Sequence, residues 1–172
     1  MPNEKPKAPE DKTDRWLDYS GRPFGYVDPD SKTAMICEQD QASRDKISSA
    51  MKKIGFEVVQ PAIFKDALKY MRFNVFDVIL VNENFNTGTW EINNILKYLE
   101  NLNMSVRRKI FVVLISASYA TMDSMQAYNK SVNMIINISE IGDIENILKQ
   151  ALAEHNDFYY PLKDNIRKYG NV

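Results

Sequence analysis

The sequence predicts an α/β domain built on a parallel β-sheet that helices cover on both faces. Short, nearly continuous apolar runs recur along the chain, as expected of strands buried on both sides. Between them lie segments whose apolar residues repeat every three or four positions, the pattern of amphipathic helices. At 172 residues and 44% hydrophobic content, the chain can bury one substantial core.

Residues 1–31 stand outside this alternation. Met1 to Asp14 is polar, carries three prolines and mixed charge, and is expected to be a disordered tail. Trp16, Leu17, Tyr19, Pro23, Phe24, Tyr26 and Val27 then fall among Gly, Pro and Asp without a period. They read as an irregular arm whose aromatics pack on the folded domain, or as a recognition segment for a partner.

The regular domain spans residues 32–154. Thr33 to Cys37 is a first buried strand, and Asp40 is an N-cap candidate for the helix carrying Ile47, Ala50, Met51 and Ile54, which Gly55 stops. Phe56 to Val59 is a second strand. Phe64, Ala67, Leu68 and Met71 mark a second helix, and Val75 to Val81 a third strand that runs into the polar loop Asn82 to Gly88. Ile92, Ile95, Leu96 and Leu99 define a third helix, and Lys109 to Ser116 a fourth strand. Met122, Met125 and Tyr128 suit a fourth helix, Val132 to Ile138 a fifth strand, and Ile144, Ile147, Leu148 and Leu152 a fifth helix. Residues 155–172 form a C-terminal extension, an aromatic segment in which Pro161 opens a last short helix.

Composition narrows the function. The net charge of −1 and the short basic clusters Lys52-Lys53 and Arg107-Arg108-Lys109 give no nucleic-acid footprint and read as solvated element ends. One cysteine, Cys37, and one histidine, His155, leave no intramolecular disulfide, no cysteine-based zinc site and no signature of a nucleophile–histidine pair. Cys37 reads as a small buried apolar side chain. The eight methionines mostly hold apolar positions and read as core filling. No apolar run approaches a membrane span and the N-terminus is not signal-like, so a cytoplasmic protein is expected.

Five strands alternating with five helices leave two common topologies, a Rossmann arrangement or the flavodoxin-like three-layer sandwich of order 2-1-3-4-5. The Rossmann reading needs Gly-x-Gly-x-x-Gly after the first strand, where this chain has Glu38-Gln39-Asp40-Gln41-Ala42. A Walker loop is likewise missing, and the flavodoxin-like order is favoured.

From Thr33 to Leu152 the chain resembles the CheY-like receiver domain of two-component response regulators. That family carries an acidic pair after the first strand, a phosphoacceptor Asp ending the third, Thr or Ser ending the fourth, and Lys-Pro after the fifth. Carried over, the acidic pair falls on Glu38 and Gln39, the phosphoacceptor on Asn82, the hydroxyl on Ser116 and the lysine on Ile138. Only Ser116 is intact. The aromatic switch position of the fifth strand falls near Ile135.

An asparagine amide is not a phosphoacceptor carboxylate, and one acid beside a carbonyl of Asn84 is a poor remnant of an oxygen-rich magnesium site. Without the lysine, no cation holds a transferred phosphoryl group. The resemblance therefore implies a degenerate receiver that binds a protein partner or self-associates, with no cofactor and no catalytic turnover. The face of the fourth helix, fifth strand and fifth helix is its expected surface. Phe158, Tyr159, Tyr160 and Tyr169 follow that helix and either pack back on the domain or extend the interface. Two alternatives stay open. Glu38, Asp40, Glu83 and Asn84, with Asn82 and Ser116, could line a ligand or ion pocket at the strand ends. Glu83 or Asp40 could also be a displaced phosphoacceptor, against the plainer reading of a loop acid or a helix cap.

Overall fold

Five parallel strands, β1 (Lys32–Cys37), β2 (Phe56–Val59), β3 (Val78–Asn82), β4 (Phe111–Ser116) and β5 (Met134–Asn137), pair in the order β2-β1-β3-β4-β5. The computed structural model describes residues 32–85 and 94–169, except for the side chains of residues 166 and 167. The expected arm of residues 1–31 and Ile92 of the third expected helix lie outside the described residues.

Burial explains why the strands read as continuous apolar runs. Every residue of β3 and β4 is buried. Alternate side chains enter two separate cores because successive Cβ atoms of a strand point to opposite faces. Ile36, Leu80, Val113 and Ile136 meet Met51, Ile144 and Leu148 on one side. Met35, Ile79, Val112 and Ile135 meet Ala67, Ile95 and Leu99 on the other.

The helices are α1 (Gln41–Ile54), α2 (Phe64–Phe73), α3 (Asn94–Glu100), α4 (Met104–Arg107), α5 (Ser124–Asn129) and α6 (Ile144–Tyr169). Local chemistry sets the ends of α1. Asp40 Oδ2 accepts the Ser43 N–H at 2.8 Å, and Gly55 takes a left-handed φ of 97° that a side chain would strain. Helix α4 was not expected. Its four residues, capped by Asn103, are too few to show an apolar period.

Several expectations are corrected. β3 begins at Val78 and Val75 is exposed, while β5 ends at Asn137 and Ile138 opens a 3-10 turn. Pro161 does not open a separate helix. It lies inside α6, on an exposed side with Asp157, where the carbonyl deprived of its helical donor can meet water. The expected fourth helix exists as α5, but only Ala127 is buried. Met122 precedes the helix at a positive φ, and Met125 and Tyr128 face solvent, so this stretch of methionines does not fill the core. Met104 is also exposed, whereas Met35, Met51 and Met134 are buried.

The basic cluster before β4 is not wholly solvated either. Arg107 donates to the carbonyls of Ile110 at 2.9 Å and Ser131 at 2.7 Å, and to Asn133 Oδ1 at 3.2 Å. It thereby ties the entries of β4 and β5 together. Above it, His155 of α6 meets the Phe111 ring at 4.9 Å and the Tyr159 ring at 4.7 Å between centroids. Burial holds the His155 imidazole below the ordinary histidine range, and Lys163 and Arg107 add to the shift.

This shift has a pH signature. In the unfolded chain His155 takes up a proton near its ordinary pKa of about 6.5, before the folded state does. Stability is therefore highest above that value and falls as pH drops through and below it. We expect the unfolding midpoint to decline less between about pH 7 and pH 5.5 in His155→Gln than in the wild type. Equal declines would remove His155 as the cause.

Candidate functional site

The ends of β1, β3, β4 and β5 bring Glu38, Asn82, Ser116 and Asn137 to one edge of the sheet. The register pairs Cys37 with Val81, Asn82 with Ile115 and Ser116 with Asn137. The order reverses between β1 and β3, where open parallel sheets form a crevice. Glu38 and Asn82 flank that point.

Asn82 Nδ2 donates to Glu38 Oε2 at 2.7 Å, in a buried contact. The amide orientation is fixed from its other end, because Asn82 Oδ1 accepts the Asn84 N–H at 2.8 Å and must be the oxygen. Glu38 Oε1 accepts the Asp40 N–H at 3.0 Å. Both oxygens of a carboxylate that is only 2% exposed are thus hydrogen-bonded within the fold. That is what a buried charge needs.

A second carboxylate is held at the end of β4. Ser116 Oγ donates to Glu83 Oε2 at 2.6 Å, and the Ala117 N–H donates to Glu83 Oε1 at 2.8 Å. Ser116 Oγ in turn accepts the N–H groups of Ser118 at 3.0 Å and Tyr119 at 3.3 Å. The Glu83 backbone N–H continues the ladder to the Ile115 carbonyl at 2.9 Å, which fixes where its side chain starts.

Of the residues singled out in the sequence, Glu38, Asn82, Glu83 and Ser116 are drawn into two linked hydrogen-bonded pairs on β3 and its neighbours. Gln39 is exposed. Asp40 is the α1 cap, and the Ser43 backbone N–H foremost holds its carboxyl below the ordinary range. Asn84 contributes its backbone N–H to Asn82. Ile138 is 40% exposed in the turn after β5. Burial raises the Cys37 thiol far above the ordinary range, which leaves it an inert core side chain. Asn137 was missed in the sequence. Its Nδ2 donates to the Tyr119 carbonyl at 2.7 Å and ties β5 to the loop after β4. Nothing in local spacing signals that bond. On α6, Tyr159 packs on His155 and Phe158, while Phe158, Tyr160 and Tyr169 are largely exposed.

The donor set does not suit the hard divalent cation that such a fold implies. Glu38 already accepts two N–H groups, and the Asn82 atom facing it is a donor with no lone pair for a metal. No group of three His, Cys, Asp or Glu side chains among the described residues could hold a metal ion.

No family model and no curated protein matches the chain. Solved structures do. A CheY-like response regulator receiver domain protein from Methanospirillum hungatei JF-1 has a TM-score of 0.56 at 16% identity over 74% of this chain and 98% of its own. The phosphorylated cyanobacterial phytochrome response regulator RcpA has a TM-score of 0.55 at 22% identity, covering 72% and 96%. An orphan response regulator of H. pylori has a TM-score of 0.54 at 14% identity, covering 71% and 97%. At these identities the likeness is one of fold, and the fold is that of CheY-like receiver domains.

Proposed function

We propose that this chain is a receiver-like signalling or regulatory module that works by protein–protein interaction or self-association, without aspartate phosphorylation and without turnover. The observation that carries this reading is the Asn82 carboxamide bonded to Glu38 at 2.7 Å, at the strand end where receivers carry their phosphoacceptor. A carboxamide at that point offers no carboxylate nucleophile, and its N–H occupies the acid that would otherwise bind metal. Two other acids, Asp40 and Glu83, accept hydrogen bonds elsewhere in the fold, Asp40 at its helix cap and Glu83 at the end of β4, which supports this reading.

An interacting surface fits the side of α5, β5 and α6. Met125 and Tyr128 on α5 are 71% and 83% exposed, with Met122 beside them at 49%. Large side chains of this kind, held out by a short capped helix, suit a partner's apolar contact. No helix among the described residues is long and apolar enough to cross a membrane. A cytoplasmic setting belongs to the same proposal.

Intact mass and amide chemical shifts should be read after incubation with acetyl phosphate and magnesium, and with beryllofluoride. We expect no phosphoryl adduct and no shift at Asn82, Glu83 or Glu38. Light scattering in the same samples should give a molar mass indifferent to the phosphodonor. A stable adduct on any of the three residues would overturn the reading.

A further inference from the structure

We infer that the chain's own arm, through Phe24 and Tyr26, folds back over an apolar patch at the base of the sheet, among the ends of α2, α3 and α4. Val75 and Val106, 59% and 36% exposed, stand at the rim of this patch. Beneath them lies a cavity of about 40 Å³ walled by Met71, Phe76, Tyr98 and Leu102. A cavity with such walls is filled better by hydrocarbon than by water.

The entry of β1 is pinned beside it. The Thr33 N–H donates to Asp77 Oδ2 at 2.8 Å, and the Asp77 N–H returns to the Thr33 carbonyl at 3.0 Å. Thr33 Oγ1 donates to the carbonyl of Val75 itself at 3.3 Å. The arm therefore joins the domain next to the patch. Phe24, Tyr26 and Val27 are its last large apolar residues before Lys32. The six residues from Tyr26 to Lys32 span up to about 20 Å, enough to reach Val106 as well as Val75. In extended backbone Phe24 and Tyr26 share one face.

Charge fits the same occupant. The connector carries Asp28 and Asp30. Arg72, next to Met71, and Arg108, two residues after Val106, are both exposed. A tether this short also gives the arm an effective concentration that a second copy cannot match in dilute solution. The patch lies at the strand starts, the opposite edge from Glu38 and Asn82. The inference therefore stands whether or not the chain is phosphorylated or has a partner.

Thermal unfolding of the full chain tests the contact. We expect Tyr26→Ser and Val75→Ser each to lower Tm by about 3–6 °C. The double variant should fall no more than about 1 °C below the lower single, because both substitutions remove one shared contact. Additive losses, or no loss in Tyr26→Ser, would overturn the inference.

A spin label separates the occupants. Cys37 is buried, so the label goes to the thiol introduced in Gly25→Cys, a position that an extended arm turns away from the patch. The amide signals of Tyr98 and Val106 should broaden more than that of Phe56, which pairs with Lys32 from the other side. Equal broadening at Phe56 means the arm does not dock. Broadening found only on an isotope-labelled copy mixed with a spin-labelled one places the arm on a second molecule. Either result overturns the inference.

Discussion

Asn82→Asp is expected to destabilise the domain at neutral pH and to leave it unphosphorylated. The wild-type Nδ2–H lies 2.7 Å from Glu38 Oε2, so the substitution exchanges a donor for a second carboxylate oxygen at contact distance. Glu38 is 2% exposed and, among the described residues, keeps the Asp40 N–H on its other oxygen. Loss of a buried, charge-assisted bond together with like-charge repulsion costs about 2–4 kcal/mol. In a domain of this size, that lowers Tm by on the order of 10 °C.

The pH dependence distinguishes this cause from a packing defect. Two carboxylates that close cannot both ionise cheaply, so the folded variant retains a proton that the unfolded chain has released at neutral pH. The folded state then binds more protons, and stability falls as pH rises above the ordinary carboxylate range. Urea unfolding of wild type and variant at about pH 5 and pH 7.5 should show the difference widening with pH. A pH-independent difference would mean the two acids are not in contact. Phosphorylation of the variant by acetyl phosphate would show that the site works without a lysine at Ile138 and with an amide at Gln39.

The second large effect is at Leu148. This side chain is fully buried in the core between the sheet, α1 and α6, among Ile36, Met51 and Ile144. Leu148→Ala is expected to cost about 2–5 kcal/mol, the transfer energy of the lost groups plus the cavity they leave. That is a large part of the ~5–15 kcal/mol typical of whole domains. By contrast, Met125→Ser and Tyr128→Ser should move stability by no more than about 0.5 kcal/mol, because both side chains are already in water. The same pair should weaken self-association or partner capture. Chemical denaturation and light scattering on the three variants separate the two roles, and a large stability loss at Tyr128 would contradict its exposure.

Leu148 and Met125 also mark the limit of what periodicity reveals. Both occupy apolar positions at helical spacing, yet one lies in the core and the other in solvent. α6 is long enough for its stripe to lie along the sheet. α5 has six residues, and the Asp123 cap starts it in a phase that turns only Ala127 inward. Pattern averaged over two turns cannot register a phase set by one side-chain hydrogen bond. Arg107 shows the same limit for charge. Two basic neighbours made it read as surface, whereas burial lowers its pKa and three acceptors hold it between the entries of β4 and β5.

What the sequence determined by itself is the local part. The apolar runs, the Asp40 cap, the Gly55 stop and the alternation of elements specify a parallel sheet. The position of Asn82 at the end of its third strand follows from counting along that run. These features are legible because backbone geometry repeats every two or 3.6 residues and imprints burial on neighbouring positions. Only the tertiary structure decided where the polar groups at the strand ends point. Asn82 reaches back 44 residues to Glu38, and Ser116 reaches back 33 to Glu83. No spacing rule encodes such bonds, since they exist only once parallel strands lie side by side and each buried carboxylate must find donors within the fold.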